Sequence, residues 1–201
     1  MQNLEKHFEK FRKNTVGNEQ YFETPYGLKK MIYADWVASG RLYAPIEERI
    51  TKIIGPFVGN THTETSETGT LMTKAYHYAH KKIKEHVHAG SDDVIITAGF
   101  GMTEVINKLQ RILGFKNCAT YEEGKCIPKE EKPVVFITHM EHHSNQTSWL
   151  ETIADMVLLQ QDENNRVDPE ELRRQLIKYA DRKVKIGSFS ACSNVTGVEP
   201  P

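Results

Sequence analysis

No part of this chain is apolar for the ~20 residues that a bilayer-spanning helix requires. Its start, Met1-Gln2-Asn3-Leu4-Glu5-Lys6, lacks the apolar centre of a secretory signal. An excess of either charge is missing too. The 26 basic and 27 acidic residues leave a net charge of -1, so no strong field draws the chain to nucleic acid or to an anionic membrane. Cysteine is scarce: Cys118, Cys126 and Cys192 are irregularly spaced, which argues against a disulfide framework and fits a reducing cytosol. There is no internal repeat, no Gly-Lys-Ser/Thr phosphate loop, no third glycine of a dinucleotide fingerprint and no His-Glu-x-x-His. These absences leave a cytoplasmic α/β protein of 201 residues, one domain or a large piece of one, long enough to bury a core.

Three apolar runs each stop at a polar or glycine-rich cluster, the pattern of buried strands ending at a cleft. Asp93-Val94-Ile95-Ile96-Thr97 leads into Gly99-Phe100-Gly101-Met102-Thr103-Glu104. Val134-Val135-Phe136-Ile137-Thr138 leads into His139-Met140-Glu141-His142-His143-Ser144-Asn145. Lys183-Val184-Lys185-Ile186-Gly187-Ser188-Phe189 leads into Ser193-Asn194-Val195-Thr196-Gly197. Between these runs lie helical periodicities. Ile46, Ile50, Ile53 and Ile54 precede the Gly55-Pro56 stop, and Met72, Ala75, Tyr76, Ala79, Ile83 and Val87 share one face. Val105, Ile106, Leu109, Ile112 and Leu113 mark a third helix and residues 147–154 a fourth. Asp168-Pro169-Glu170-Glu171 opens a fifth as a capping box, with Leu172, Leu176, Ile177 and Ala180 as its buried face.

Strands are expected at 94–97, 134–138, 156–159 and 184–190, with a brief extended segment at 31–34 and an exposed excursion from Phe115 to Lys132. Alternating strands and helices predict a mostly parallel sheet with helices on both faces. Residues 1–30 read as an N-terminal arm, with Leu4, Phe8 and Phe11 at helical spacing, and 31–201 as the first part of a larger domain. The ending at Pro200-Pro201, just after a strand, reads as a truncation.

Each polar cluster has competing readings. The Gly99–Thr103 stretch is either an ordinary tight turn or a phosphate cradle at a helix N-terminus, where backbone N–H groups and the helix dipole favour an anion. His139, His142 and His143 would serve a metal-dependent hydrolase, yet their spacing matches no zinc motif and the adjacent pair should project in different directions. One imidazole could instead lie flat on an aromatic ligand. Ser193–Gly197 is turn chemistry, or it presents the Asn194 amide to a ligand oxygen. Cys192 reads as a small buried residue, and His77, His80, His86 and His88 read as solvent-facing.

Four segments in order, Tyr33-Ala34-Asp35-Trp36-Val37-Ala38-Ser39, Gly101-Met102-Thr103-Glu104-Val105-Ile106-Asn107, Glu141-His142-His143-Ser144-Asn145 and Ser193-Asn194-Val195-Thr196-Gly197, resemble the class V aminotransferases, which include cysteine desulfurases and selenocysteine lyases. The resemblance runs from about residue 31 to the end. It implies the large domain of a type I transferase fold, pyridoxal 5′-phosphate as cofactor, a small amino acid as substrate and a homodimer. It gives Gly101, Met102 and Thr103 to the cofactor phosphate, His142 to the face of the pyridine ring, Asn194 to the phenolic oxygen, and Ala38 and Ser39 to the substrate's vicinity. Trp36 stands where the family has a small or amide residue, and Met102 where it often has threonine or alanine. The Schiff-base lysine and the residues that choose between transamination and desulfuration are expected beyond residue 201. The chain by itself is therefore expected to be inactive, and a non-catalytic interaction module is the remaining alternative.

Overall fold

The computed structural model describes residues 3–116 and 128–201. They form two compact units, Met1–Ile96 and Thr97–Pro201.

The second unit is built around β3 (Val134–Ile137), which pairs in parallel with β4 (Asp155–Leu158) on one edge and β5 (Lys185–Gly187) on the other. All four β3 side chains are at most 1% exposed, as befits a run of Val, Val, Phe and Ile with neighbours on both edges. Alternation sends Val135 and Ile137 to one face, where they meet Phe115, Trp149, Ile106 and Met156. Val134 and Phe136 face the other way, against Leu159, Val157, Leu172 and Tyr179. Helices α4 (Met102–Ile112) and α5 (His143–Leu150) thus cover one face and α6 (Pro169–Lys178) the other, the expected parallel α/β arrangement.

The first unit contains α1 (Leu4–Asn14) and a hairpin of β1 (Tyr21–Thr24) and β2 (Gly27–Lys30). Helix α2 (Ala44–Arg49) continues through a π turn, Ile50–Ile54, and a 3₁₀ turn, Gly55–Phe57, before α3 (Glu67–His86). The hairpin has no counterpart in the sequence expectations. Its turn rests on Thr24, whose Oγ1 donates to the Gly27 carbonyl (2.7 Å) and accepts from Tyr26 N–H, while Gly27 takes φ +86°.

Several expectations are corrected. Residues 94–97 form no strand: nothing among the described residues pairs with them, and Val94 is largely exposed. Residues 31–34 likewise join no sheet. Phe115 belongs to the core and not to an exposed excursion, of which residues 117–127, including Cys118, lie outside the described residues. Helix α5 begins four residues before the expected 147 because His142 caps it.

The helix faces also differ. On α4 the inward positions are Ile106 and Gln110, while Leu109, Ile112 and Leu113 face out, because Gln110 Nε2 donates to Ser148 Oγ of α5 (3.0 Å). On α6 the inward face is Glu171, Leu172, Gln175 and Tyr179, whereas Leu176, Ile177 and Ala180 are exposed. Asp168 does cap α6, accepting from Glu170 N–H, but Glu171 pairs with Arg174 and Gln175 instead of closing a capping box. On α3, Gly69 and Thr73 are the buried residues, and Ala75, Ala79, Ile83 and Val87 face out. His80 is half-buried against the Tyr76 ring at 4.1 Å, not solvent-facing.

This distribution predicts a sharp contrast within the second unit. Ile137→Ala should cost about 2–5 kcal/mol in urea unfolding of the whole chain, since it removes fully buried methyl groups and leaves a cavity. Ile177→Ala, at an exposed position, should change stability by no more than ~0.5 kcal/mol. Equal effects would contradict the packing described.

Candidate functional site

Helix α4 starts immediately after two glycines. Gly99 takes φ +59°, and a Cβ there would lie 2.0 Å from Glu104 Cδ. Glycine is therefore needed where the Glu104 side chain folds back to accept from Phe100 N–H (3.3 Å). The cap residue, Gly101, offers no side-chain acceptor, so the first turn of α4 directs N–H groups outward without a side-chain partner. Such a turn suits an anion through its N–H groups and its dipole.

Helix α5 is capped by an imidazole. His142 Nδ1 accepts from Ser144 N–H at 3.1 Å and lies 2.8 Å from Ser144 Oγ. Acceptance at Nδ1 puts the proton of the neutral ring on Nε2 and holds the ring in one orientation, with its surface exposed.

Beside it, Glu141 gathers donors from three parts of the unit. Thr138 Oγ1, just past β3, donates to Oε1 at 2.7 Å, and Asn145 Nδ2, on α5, donates to Oε2 at 2.9 Å. Beyond β5, the Ser190 N–H donates to Oε1 at 3.0 Å and its hydroxyl to Oε2 at 2.7 Å. Burial pushes the Glu141 carboxyl up, but donation from the Ser190 hydroxyl, Thr138, the Ser190 N–H and Asn145 outweighs it and holds the group below the ordinary glutamate range. A second link runs alongside: Trp149 Nε1 donates to Asn145 Oδ1 (3.1 Å) and Ser188 Oγ (3.0 Å).

These elements enclose a cleft of about 630 Å³ lined by Met102, Thr103 and Ile106 of α4, by Glu141, His142 and Asn145, and by the segment from Ser188 to Cys192. The size lies within the ~300–1,000 Å³ typical of small-molecule sites. Of the residues singled out in the sequence, Met102, Thr103 and His142 meet in this cleft. Gly101 lines an adjoining cavity with Thr103 and Asn107. Asn194 lines a different one, with His139, His143 and Thr196, and Glu141 borders both that cavity and the cleft. Ala38 and Ser39 belong to the first unit, on an exposed turn where both their N–H groups donate to the Asp35 carbonyl. Cys192 is exposed on the cleft wall, not buried.

The histidines do not converge on a metal position. His139 Nε2 is 3.1 Å from the Asn165 carbonyl, His142 turns to Ser144, and no cluster of three or more metal-ligating side chains occurs among the described residues. The hydrolase alternative is accordingly not favoured.

Sequence reasoning passed over the roles of Glu141, Asn145, Trp149, Ser188 and Ser190. Their spacing carried a signal: Glu141, Asn145 and Trp149 recur at i, i+4 and i+8, one helical face, while Ser188 and Ser190 alternate as on one side of an extended segment.

Comparison with known proteins adds a family. The family model described as aminotransferase class-V matches residues 32–201. A probable cysteine desulfurase of Halalkalibacterium halodurans is 27% identical over 175 residues, covering 85% of this chain and 39% of that protein. A cysteine desulfurase of Synechococcus elongatus is 25% identical, covering 86% of this chain and 26% of its own length. The chain thus spans well under half the length of these curated relatives. Among solved structures, the apo cysteine desulfurase from Thermococcus onnurineus NA1 superimposes with a TM-score of 0.65 at 16% identity, over 92% of this chain and 40% of that one. Likeness at that identity establishes the fold alone.

The donor set around Glu141 fixes a pH dependence. In the unfolded chain this carboxyl titrates in its ordinary range, so the stabilisation it brings is complete above that range and is lost as pH falls through the lower folded value. The stability difference between the native chain and Glu141→Gln should be constant near neutrality and narrow on acidification, as measured by urea unfolding across pH. A gap independent of pH would show that ionisation of Glu141 contributes nothing.

Proposed function

The chain belongs to the aminotransferase class-V family, and from that premise we propose that its cleft is part of a pyridoxal 5′-phosphate site in an enzyme acting on a small amino acid, as a cysteine desulfurase or selenocysteine lyase does. The observation that carries the proposal is the meeting, in one cleft, of an uncapped helix N-terminus and an oriented, exposed imidazole. The first turn of α4 at Gly101, Met102 and Thr103 would hold the phosphate, its N–H groups donating and the Thr103 hydroxyl available as a further donor. A side chain at Gly101 would meet nothing within 4 Å, so the approach to that turn is open. His142 would lie against the pyridine ring, kept in place through Nδ1 by Ser144. When bound, the cofactor supplies an electron sink for a carbanion at the substrate's α-carbon.

Asn194 remains the residue that the family pattern offers to the ring's phenolic oxygen, and Ala38 and Ser39 those it places near the substrate. A homodimer working in the cytoplasm is part of the same reading. It is supported by the family membership, by the balanced charge and by the finding that no helix among the described residues is long and apolar enough to cross a membrane.

Three substitutions at His142 separate its possible contributions. Phenylalanine keeps ring area but loses the cap on α5, asparagine keeps a cap but loses the ring, and alanine loses both. If the residue acts by stacking, worth on the order of 1 kcal/mol, equilibrium titration with pyridoxal 5′-phosphate should show His142→Phe near native affinity. His142→Asn and His142→Ala should both bind roughly fivefold more weakly. Retention by asparagine with loss by phenylalanine would mean that His142 works through the cap on α5 and not through its ring.

A further inference from the structure

We propose that Glu141 is a positioning residue that sets the width of the cleft, by fastening the wall from Ser188 to Cys192 to the start of α5. The inference rests on the cofactor reading of that cleft. The β3–β5 register ends at Phe136↔Gly187, and the last ladder bond is Ser188 N–H to the Phe136 carbonyl at 2.9 Å. The wall therefore lies beyond the sheet, and side chains must hold it.

Ser188 is tied to Asn145 and Trp149. One step farther out, Ser190 is bound twice to Glu141, through its N–H and its hydroxyl. Glu141 also directly precedes His142, so one residue anchors the wall and the backbone that carries the imidazole. A carboxylate suits this position because it is an acceptor at both oxygens, and all four of its partners donate. An amide of the same shape would bring an N–H against either the Ser190 N–H, which cannot accept, or the Asn145 amide, whose oxygen already accepts from Trp149 and Ser188.

The test uses the whole chain with Trp36→Phe, which leaves Trp149 as the only tryptophan. Glu141→Gln should free the wall. Amide exchange should accelerate in residues 188–192 while β3 keeps its protection, Trp149 emission should shift to the red, and the Kd for pyridoxal 5′-phosphate should rise roughly tenfold. The reciprocal pair Glu141→Gln with Asn145→Asp places a new acceptor opposite the new donor and should recover most of all three effects. If Glu141→Gln fails to fold, Ser190→Ala removes one of the two bonds to the wall and should give the same local pattern in weaker form.

Unchanged exchange in 188–192, or acceleration spread equally over β3 and α5, would overturn the proposal, because the residue would then be idle or merely structural. Local loosening with unchanged cofactor affinity would overturn it as well. If the native chain shows no saturable cofactor binding, the cofactor reading fails first. The exchange contrast and the rescue by the reciprocal pair would still decide whether Glu141 holds the wall.

Discussion

Everything in the second unit follows from burying β3 on both faces and both edges. Four consecutive side chains at 0–1% exposure leave no solvent side, so helices must cover each face and strands must satisfy each edge. The chain must then become polar wherever the strand meets the ends of the layer, and a side-chain clamp stands at each end. At the amino end Arg182, almost fully buried, donates to the Lys132 carbonyl and pairs with Asp155 at the start of β4. At the carboxyl end Glu141 collects Thr138, Asn145 and Ser190. A buried guanidinium is tolerated when its charge is paired, and the Asp155 carboxylate pairs it while the Lys132 carbonyl accepts a second of its N–H groups. The cationic clamp closes one end of the layer, and the anionic one shapes the cleft at the other.

How much of this was legible depended on which residues carry the packing. Val134 to Ile137 announced a strand buried on both sides, since four successive β-branched or aromatic residues admit no solvent face. Asp168-Pro169 likewise announced the start of α6. Apolar periodicity misplaces the faces of α4 and α6, because Gln110 and Glu171 turn inward. Each makes at least one side-chain hydrogen bond, which is what permits a polar group to stand in an apolar layer. The hairpin escaped notice because Tyr21-Phe22-Glu23-Thr24 and Gly27-Leu28-Lys29-Lys30 are short and lack the alternation of a half-buried sheet. Of the cleft, the histidine and the glycine-led turn before α4 could be seen as motifs. Its far wall could not, because serines at 188 and 190 gain meaning only once a carboxylate and a tryptophan from another part of the chain lie beside them.

The donors in the cleft wall all point one way. Trp149 gives its N–H to Asn145, the Asn145 amide gives its own to Glu141, and Thr138 and Ser190 give theirs to the same carboxylate. Asparagine at 145 fits because it both accepts and donates. An aspartate there would set two carboxylates together, and an alanine would take one acceptor from the indole N–H and one donor from Glu141. Exposed on the same cleft are the His142 ring and the Cys192 thiol. The His142 Nδ1 is occupied by Ser144, and the rest of the exposed ring is left without a hydrogen-bond partner among the described residues. Abstracting a proton through Nδ1 would first require giving up the cap on α5, which favours the proposed platform role over that of a base at this atom.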